Sequence, residues 1–168
     1  DEPAIKRRLV YGRHVGRGLT TYQENLLKTA LPALKLETEQ PAPQPLGALF
    51  GPATKDVWLE IGFGGGEHLA WQAENNPGIG IIGCEPFVPG VAGLLKRFGE
   101  DPARPHAVRI HNDDARFALD WLSDAAIGRV FVLFPDPWPK KRHRKRRLLN
   151  PDVLAMLARV MRRGAVLR

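Results

Sequence analysis

The feature that most constrains the fold is an apolar segment that runs directly into a glycine-rich turn. Residues 57–61 read Val-Trp-Leu-Glu-Ile, and Gly62-Phe63-Gly64-Gly65-Gly66 follows at once. A strand that enters such a turn and continues into a helix lets a cofactor approach the backbone closely, because glycine has no side chain in the way. The pattern predicts an α/β fold with a ligand at this turn.

Short apolar runs alternate with helical patterns along the rest of the chain. The predicted strands are 57–61, 79–84, 107–110 and 130–134, and the predicted helices are 66–74, 91–98, 117–122 and 151–162. The last helix has Asn150 as a good N-cap, Pro151 at its first position and Gly164 just past its end. The residues after Gly164 resemble the start of a fifth strand. This alternation predicts a doubly wound, mostly parallel sheet with helices on both faces.

Three segments precede this domain, which we place at residues 56–168. Residues 1–19 are basic and lack apolar periodicity, which predicts a flexible arm. Residues 20–36 predict a helix, with Thr21 and Glu24 at capping-box spacing and Pro32 bending or ending it. Residues 37–55 are rich in proline and glycine and predict a linker rather than a folded element.

Length and composition favour one soluble domain. The chain has 168 residues, of which 43% are hydrophobic, and no apolar run approaches the roughly 18 residues that span a bilayer. The single cysteine, Cys84, has no partner for a disulfide and is expected to be a buried strand residue. The five histidines show no metal-ligand spacing. We therefore expect a cytoplasmic protein without a metal, and monomer and homodimer remain open.

The acid at the end of the first strand indicates which cofactor the turn suits. A dinucleotide fingerprint would need a third glycine at position 67, which is Glu67, so a nicotinamide cofactor fits poorly. Glu60 would instead accept a hydrogen bond from a cationic amino group, such as that of the methionine portion of S-adenosylmethionine. The alternative is a plain glycine turn beside a solvated glutamate.

Acids also end the next two predicted strands. Glu85 lies 23 residues after Gly62, where such folds place the acid that binds the ribose hydroxyls of a nucleoside. Asp114 follows the third strand at the same carboxyl edge of the sheet. It is equally well explained as a contact for the adenine amino group and as a helix N-cap.

The fourth strand ends in a rigid segment that holds an acid and an aromatic ring. Asp136 lies between Pro135 and Pro137, which restrict its orientation, and Trp138 follows. The indole offers a surface on which an unpaired base can stack. The alternative is a rigid turn with Trp138 in the core.

A cluster of basic residues comes immediately afterwards. Residues 140–147 contain seven Lys and Arg side chains and no acid, which equals the net charge of +7 of the whole chain. These side chains are Lys140, Lys141, Arg142, Arg144, Lys145, Arg146 and Arg147. Alone, such a run is as often a solvated face or a targeting signal, but its position beside the expected site favours a grip on phosphates.

Taken together, the strings LEIGFGGGEHL, GCEPF, NDDA and FPDPWPKKRHRKRR strongly resemble the bacterial tRNA (guanine-N7)-methyltransferase family. The resemblance implies a Rossmann-like class I methyltransferase domain at 56–168 that moves a methyl group from S-adenosylmethionine to N7 of the variable-loop guanosine usually numbered 46 in tRNA. It also implies further strands beyond residue 168, with part of the guanine pocket.

The same resemblance assigns roles to individual residues. Cofactor contacts are expected from Glu60, Gly62, Gly64, Glu85 and Asp114. Asp136 is the expected catalytic acid. Contacts with tRNA are expected from Lys140, Arg142, Arg144, Lys145, Arg146 and Arg147.

Three other functions fit part of this pattern. An adenine amino-group methyltransferase also has an acid-proline-aromatic segment after its fourth strand. A non-catalytic RNA-binding relative would keep the fold and bind tRNA without the cofactor. A nicotinamide-dependent oxidoreductase is a third alternative, which Glu67 disfavours.

Overall fold

The computed structural model describes residues 18–99, 107–133, 135–136 and 138–168. Its strands are β1 Asp56–Ile61, β2 Ile79–Cys84, β3 Val108–His111, β4 Ile127–Phe131 and β5 Met161–Leu167. Its α-helices are α1 Thr21–Thr29, α2 Leu31–Leu34, α3 Glu67–Asn75, α4 Val88–Phe98, α5 Ala115–Trp121 and α6 Pro151–Val160. Two 3-10 helices span Leu46–Leu49 and Lys141–Arg146. The predicted N-terminal arm lies outside the described residues, except for its last two.

The five strands form one parallel sheet in the order β3-β2-β1-β4-β5. The chain runs outward from β1 to β2 and β3, and then returns to the other side of β1 with β4. Ligands in such sheets bind at this reversal, outside the carboxyl ends of the strands. The topology confirms the predicted doubly wound sheet and places its reversal at the glycine-rich turn.

Helices cover both faces, as the alternating pattern predicted. One apolar cluster joins the sheet to α5 and α6 through Leu119 and Leu157, and the other joins it to α1, α3 and α4. The central strands are therefore almost wholly apolar, with Leu59 and Ile81 fully buried on opposite faces. Cys84 is buried in β2 as expected.

The two last predicted elements need correction. The fourth strand runs from Ile127 to Phe131, three residues earlier than predicted. The sequence pattern missed its first residues because Gly128 and Arg129 interrupt the apolar run. The Arg129 guanidinium lies 4.5 Å from the centre of the Trp58 ring, which accommodates its charge. Helix α6 ends at Val160 rather than at residue 162, and β5 begins at once. Gly164 lies inside that strand and does not cap the helix.

The N-terminal segments also differ from their prediction. Thr20, and not Thr21, caps α1, in a capping box with Gln23. The helical segment breaks at Ala30 between α1 and α2, near Pro32. The predicted linker at 37–55 is folded against the domain, since it contains a 3-10 helix and places Leu46 in the core. Burial of its apolar residues keeps this segment folded despite its prolines.

The two outer strands of the sheet, β3 and β5, differ in what lies beside them. At the β3 edge, the Leu36 N–H donates to the Ile110 carbonyl at 2.8 Å, and Lys35 forms an isolated bridge with Ile110. At the other edge, no further strand pairs with β5 among the described residues, and Val166 and Leu167 are exposed. In the described part of the chain, none of the helices combines the length and apolar character needed to cross a membrane.

Candidate functional site

The glycine-rich turn has the backbone conformation that glycine alone adopts without strain. Gly62, Gly64 and Gly66 have φ of 72°, 56° and 79°. A Cβ at Gly62 or Gly64 would meet no described atom within 4 Å, whereas one at Gly66 would lie 2.6 Å from Leu94 Cβ. The first two glycines therefore keep the face of the turn open, and the third allows α4 to pack closely.

Glu85, the residue that follows β2, supports this turn. Its Oε2 accepts a hydrogen bond from the Gly64 N–H at 2.8 Å, and its Oε1 accepts one from the Phe87 N–H at 2.9 Å. Burial raises the pKa of the carboxyl, the two backbone hydrogen bonds offset part of that rise, and the negative charge of Asp136 adds to it. Asp136 is thus near enough for the two charges to interact.

Glu60 is 2% exposed at the end of β1, beside the turn. Its Oε2 lies 2.7 Å from Nδ1 of His68, which is in the first turn of α3. Burial raises the pKa of Glu60, and the hydrogen bond and charge interaction with His68 lower it in part. Sequence reasoning considered His68 only as a metal ligand, and no spacing signal links it to Glu60. The contact depends on how α3 returns over the end of β1.

Asp114 lies at the same edge, but its carboxylate is already engaged. Its Oδ1 accepts from the Arg116 N–H at 2.9 Å as the N-cap of α5, and its Oδ2 accepts from Arg116 Nε at 2.8 Å. The N-cap alternative is thus present in the structure. The adenine contact of Asp114 stays a prediction, and it requires the nucleobase to share or replace the Arg116 contact.

Trp138 packs against the basic segment. Its ring centre is 5.1 Å from the Arg146 guanidinium carbon and 5.5 Å from the centre of the His143 ring. Its φ of 38° is unusual for a bulky side chain, and its buried Nε1 has no hydrogen-bond partner among the described residues. The predicted stacking of a base on this ring would therefore require the basic side chains to move.

The basic segment divides into side chains that hold the loop and side chains that face solvent. Arg147 donates from Nε and Nη2 to the Trp138 carbonyl at 3.2 and 3.1 Å. Lys140 and Arg142 are exposed, as is Asp136. The side chains of Arg144 and Lys145 lie outside what the structure describes. Arg146 and Arg147 therefore shape the loop, and the exposed Lys140 and Arg142 are the stronger candidates for phosphate contacts.

The carboxyl edge thus brings together an open glycine turn, three buried acids and an exposed acid beside a basic segment. The three buried acids, Glu60, Glu85 and Asp114, are 2%, 7% and 5% exposed. Within the described residues, no three His, Cys, Asp or Glu side chains are grouped to hold a metal ion.

Known proteins share this sequence pattern. A family model described as "Putative methyltransferase" matches residues 54–168. A tRNA (guanine-N(7)-)-methyltransferase of Caulobacter vibrioides is 51% identical over 159 residues, which are 94% of this chain and 67% of that protein. Proteins of the same name from Paramagnetospirillum magneticum and Ruegeria pomeroyi are each 47% identical, covering 98% and 99% of this chain and 69% and 71% of their own.

Solved structures share the fold. The 16S rRNA methyltransferase KamB aligns with a TM-score of 0.54 at 20% identity, covering 76% of this chain and 58% of its own. An antibiotic-related methyltransferase aligns with a TM-score of 0.54 at 19% identity, covering 77% and 60%. At these identities the likeness shows the fold alone.

Proposed function

Because the chain belongs to the tRNA (guanine-N7-)-methyltransferase family, we propose that it transfers the methyl group of S-adenosylmethionine to N7 of a tRNA guanine. The acceptor we propose is the variable-loop guanosine usually numbered 46. The observation that carries the proposal is the convergence of Glu60, Glu85 and the open glycine turn at the reversal of the sheet.

The residues at the turn fit the parts of the cofactor. When bound, S-adenosylmethionine supplies an electrophilic methyl group on a positively charged sulfur. Gly62 and Gly64 present open backbone, and Glu85 is fixed to accept the ribose hydroxyls. Glu60 accepts from the cationic amino group. An ionised Glu60 also compensates part of the positive charge, which suits a buried carboxylate whose side chain is bonded by no Lys or Arg among the described residues.

The acceptor atom determines what catalysis requires. Guanine N7 carries a free lone pair and loses no proton on methylation, so no general base is needed. Asp136 accepts hydrogen bonds from the N1 and N2 hydrogens of guanine, and its negative charge stabilises the positive charge that develops on the ring. Its exposure at the sheet edge, close enough to Glu85 for their charges to interact, supports this role. Most of the rate enhancement then comes from positioning.

The basic segment supplies the grip on tRNA. Lys140, Arg142, Arg144 and Lys145 neutralise phosphates, while Arg146 and Arg147 keep the loop around Trp138 in place. The loop follows Asp136 directly, so phosphate contacts there bring the guanine to the carboxylate. The guanine has to leave its stack to reach this edge.

The direct test is transfer of labelled methyl from S-adenosylmethionine to unmodified tRNA. Borohydride and aniline then cleave the RNA selectively at N7-methylguanosine. Cleavage in the variable loop supports the proposal. Label on an adenine amino group would instead favour the adenine methyltransferase alternative, and tRNA binding without cofactor binding would favour the non-catalytic one.

A second experiment tests the role of Asp136. Asp136→Asn should lower the single-turnover rate on saturating tRNA by at least about tenfold, since the carboxylate charge opposite the ring is lost. Asp124→Asn is the matched control, because Asp124 is exposed and lies between α5 and β4, near the amino ends of the strands. Full single-turnover activity in Asp136→Asn would refute the assigned role.

A further inference from the structure

A chain of hydrogen bonds runs from the Glu60 carboxylate along α3. Glu60 Oε2 lies 2.7 Å from His68 Nδ1, and His68 Nε2 lies 3.1 Å from Gln72 Nε2. Gln72 Oε1 accepts from Asn76 Nδ2 at 2.9 Å. Residues 68, 72 and 76 are spaced by one helical turn each, so their side chains share one face.

The far end of this chain fixes the proton at the near end. Asn76 Nδ2 also donates to the Gln72 backbone carbonyl at 2.9 Å, and a carbonyl oxygen only accepts, so this atom of Asn76 is the amide nitrogen. It donates to the Gln72 side chain as well, which makes that atom the oxygen and leaves the Gln72 nitrogen facing His68. A donor opposite Nε2 requires Nε2 to accept, so the ring proton is on Nδ1.

The proton on Nδ1 leaves Glu60 with one engaged oxygen. The Nδ1–H donates to Oε2, and no described group other than His68 bonds the Glu60 side chain. Phe131 packs edge-on against the imidazole, with ring centres 4.7 Å apart, and so restricts its rotation. Glu67, the neighbouring acid on α3, is turned away and pairs with Arg97. The Oε1 atom remains for a ligand.

We propose that His68 is a positioning residue, which holds Glu60 through Nδ1–H so that Oε1 meets the amino group of the cofactor's methionine portion. The proposal rests on the proposed function for the identity of the ligand. It assigns to Gln72 and Asn76 the task of keeping His68 in one tautomer. None of these three residues touches the reacting atoms.

The tautomer is tested directly by NMR. In protein with ¹⁵N-labelled histidine, a long-range ¹H–¹⁵N correlation spectrum distinguishes a protonated from an unprotonated ring nitrogen. At neutral pH, the His68 signals, assigned by their loss in His68→Asn, should show a protonated Nδ1 and an unprotonated Nε2. A proton on Nε2 would overturn the proposal, and the tautomer itself is read from the wild-type protein.

The positioning role is tested with two ligands that differ in the amino-acid portion. S-adenosylhomocysteine carries the amino group, whereas 5′-methylthioadenosine lacks it and keeps the ribose and adenine. His68→Leu should weaken binding of S-adenosylhomocysteine by roughly tenfold or more, the loss expected for a hydrogen bond to a charged group, and leave 5′-methylthioadenosine binding unchanged. His68→Asn, whose Nδ2 replaces the Nδ1–H, should restore most of the loss.

The control is Trp71→Leu on the same helix, since the Trp71 side chain is 57% exposed and takes no part in the hydrogen-bond chain. It should leave both affinities unchanged. Equal losses of the two ligands in His68→Leu would indicate a merely structural role and overturn the proposal. Because neither readout uses methyl transfer, an inactive protein that still shows the ligand contrast would fail the proposed function and keep this inference.

Discussion

The carboxylate of Glu85 accepts a hydrogen bond from the backbone N–H of Gly64 at 2.8 Å, so the residue that follows β2 supports the turn that follows β1. The other oxygen accepts from Phe87. A carboxylate has about four lone-pair positions, of which these bonds use two. Two positions remain, enough for the two hydroxyls of a ribose. The bonds that fix the turn therefore also orient the carboxylate for its ligand.

Glu85→Gln should weaken both the fold and the site. A glutamine offers one acceptor and one NH₂ donor, so either the Gly64 N–H or the Phe87 N–H faces a donor and loses its bond. We expect a loss of about 1–3 kcal/mol in the free energy of unfolding. We also expect at least about tenfold weaker S-adenosylhomocysteine binding, measured by calorimetry. Glu39→Gln, at an exposed position, is the control. Unchanged affinity in Glu85→Gln would contradict the assignment.

The stability of the protein should depend on the titration of Glu60. Its pKa in the folded state is raised above 4.5, mainly by burial, so the folded state binds more protons than the unfolded state just above that pH. Stability contributed by this group therefore falls as pH rises from 4.5 through the folded pKa. Compared with the wild type, Glu60→Gln should gain relative stability across that interval and then level off. Urea unfolding at a series of pH values measures it, and an opposite slope would refute it.

Gly64→Ala should impair ligand binding more than its backbone strain explains. At φ 56° an alanine costs about 1–2 kcal/mol, and its Cβ would project into the open face of the turn. Gly78→Ala is the matched control, because Gly78 has φ 84° just before the amino end of β2, and the nearest atom to its Cβ would be Lys55 Cδ at 3.5 Å, an ordinary contact. Both should lose stability in urea, and only Gly64→Ala should lose S-adenosylhomocysteine binding. Equal affinities for the two variants would be evidence against a ligand at the turn.

Lys140→Ala should change the salt dependence of tRNA binding. Each neutralised phosphate contributes roughly 0.7–0.9 to the slope of log K against log salt concentration, so the variant should lose about that much. Lys96→Ala is the control, since Lys96 is exposed at the end of α4 away from the carboxyl edge. Filter binding at several salt concentrations measures the slopes. A slope equal to that of the wild type would remove Lys140 from the RNA contact.

Much of the fold could be predicted because its strands are short apolar runs bounded by turns. The parallel order then placed Glu60, Glu85 and Asp114 at one edge without any knowledge of contacts. The failures occurred where tertiary packing overrides local pattern. Arg129 is tolerated in β4 because Trp58 lies beneath it, and the proline-rich segment is held by the burial of Leu46.

The details of the site were less predictable than its location. Sequence reasoning weighed Asp114 as an N-cap, but the engagement of its carboxylate by Arg116 depends on a side-chain conformation. His68 was missed because its role follows from the way α3 packs over β1 and not from spacing. Likewise, the sequence shows a uniform run of basic residues, and only the packing of Arg146 against Trp138 separates those that stabilise the loop from those that are exposed.

The edge of the sheet at β3 is closed by the chain itself. The Leu36 N–H donates to the Ile110 carbonyl at 2.8 Å, and the Leu36 side chain is 2% exposed. An unpaired strand edge is a template on which another chain can pair. The segment after α2 occupies this position on β3, so the contact that anchors the N-terminal helices to the sheet also denies that position to a second molecule.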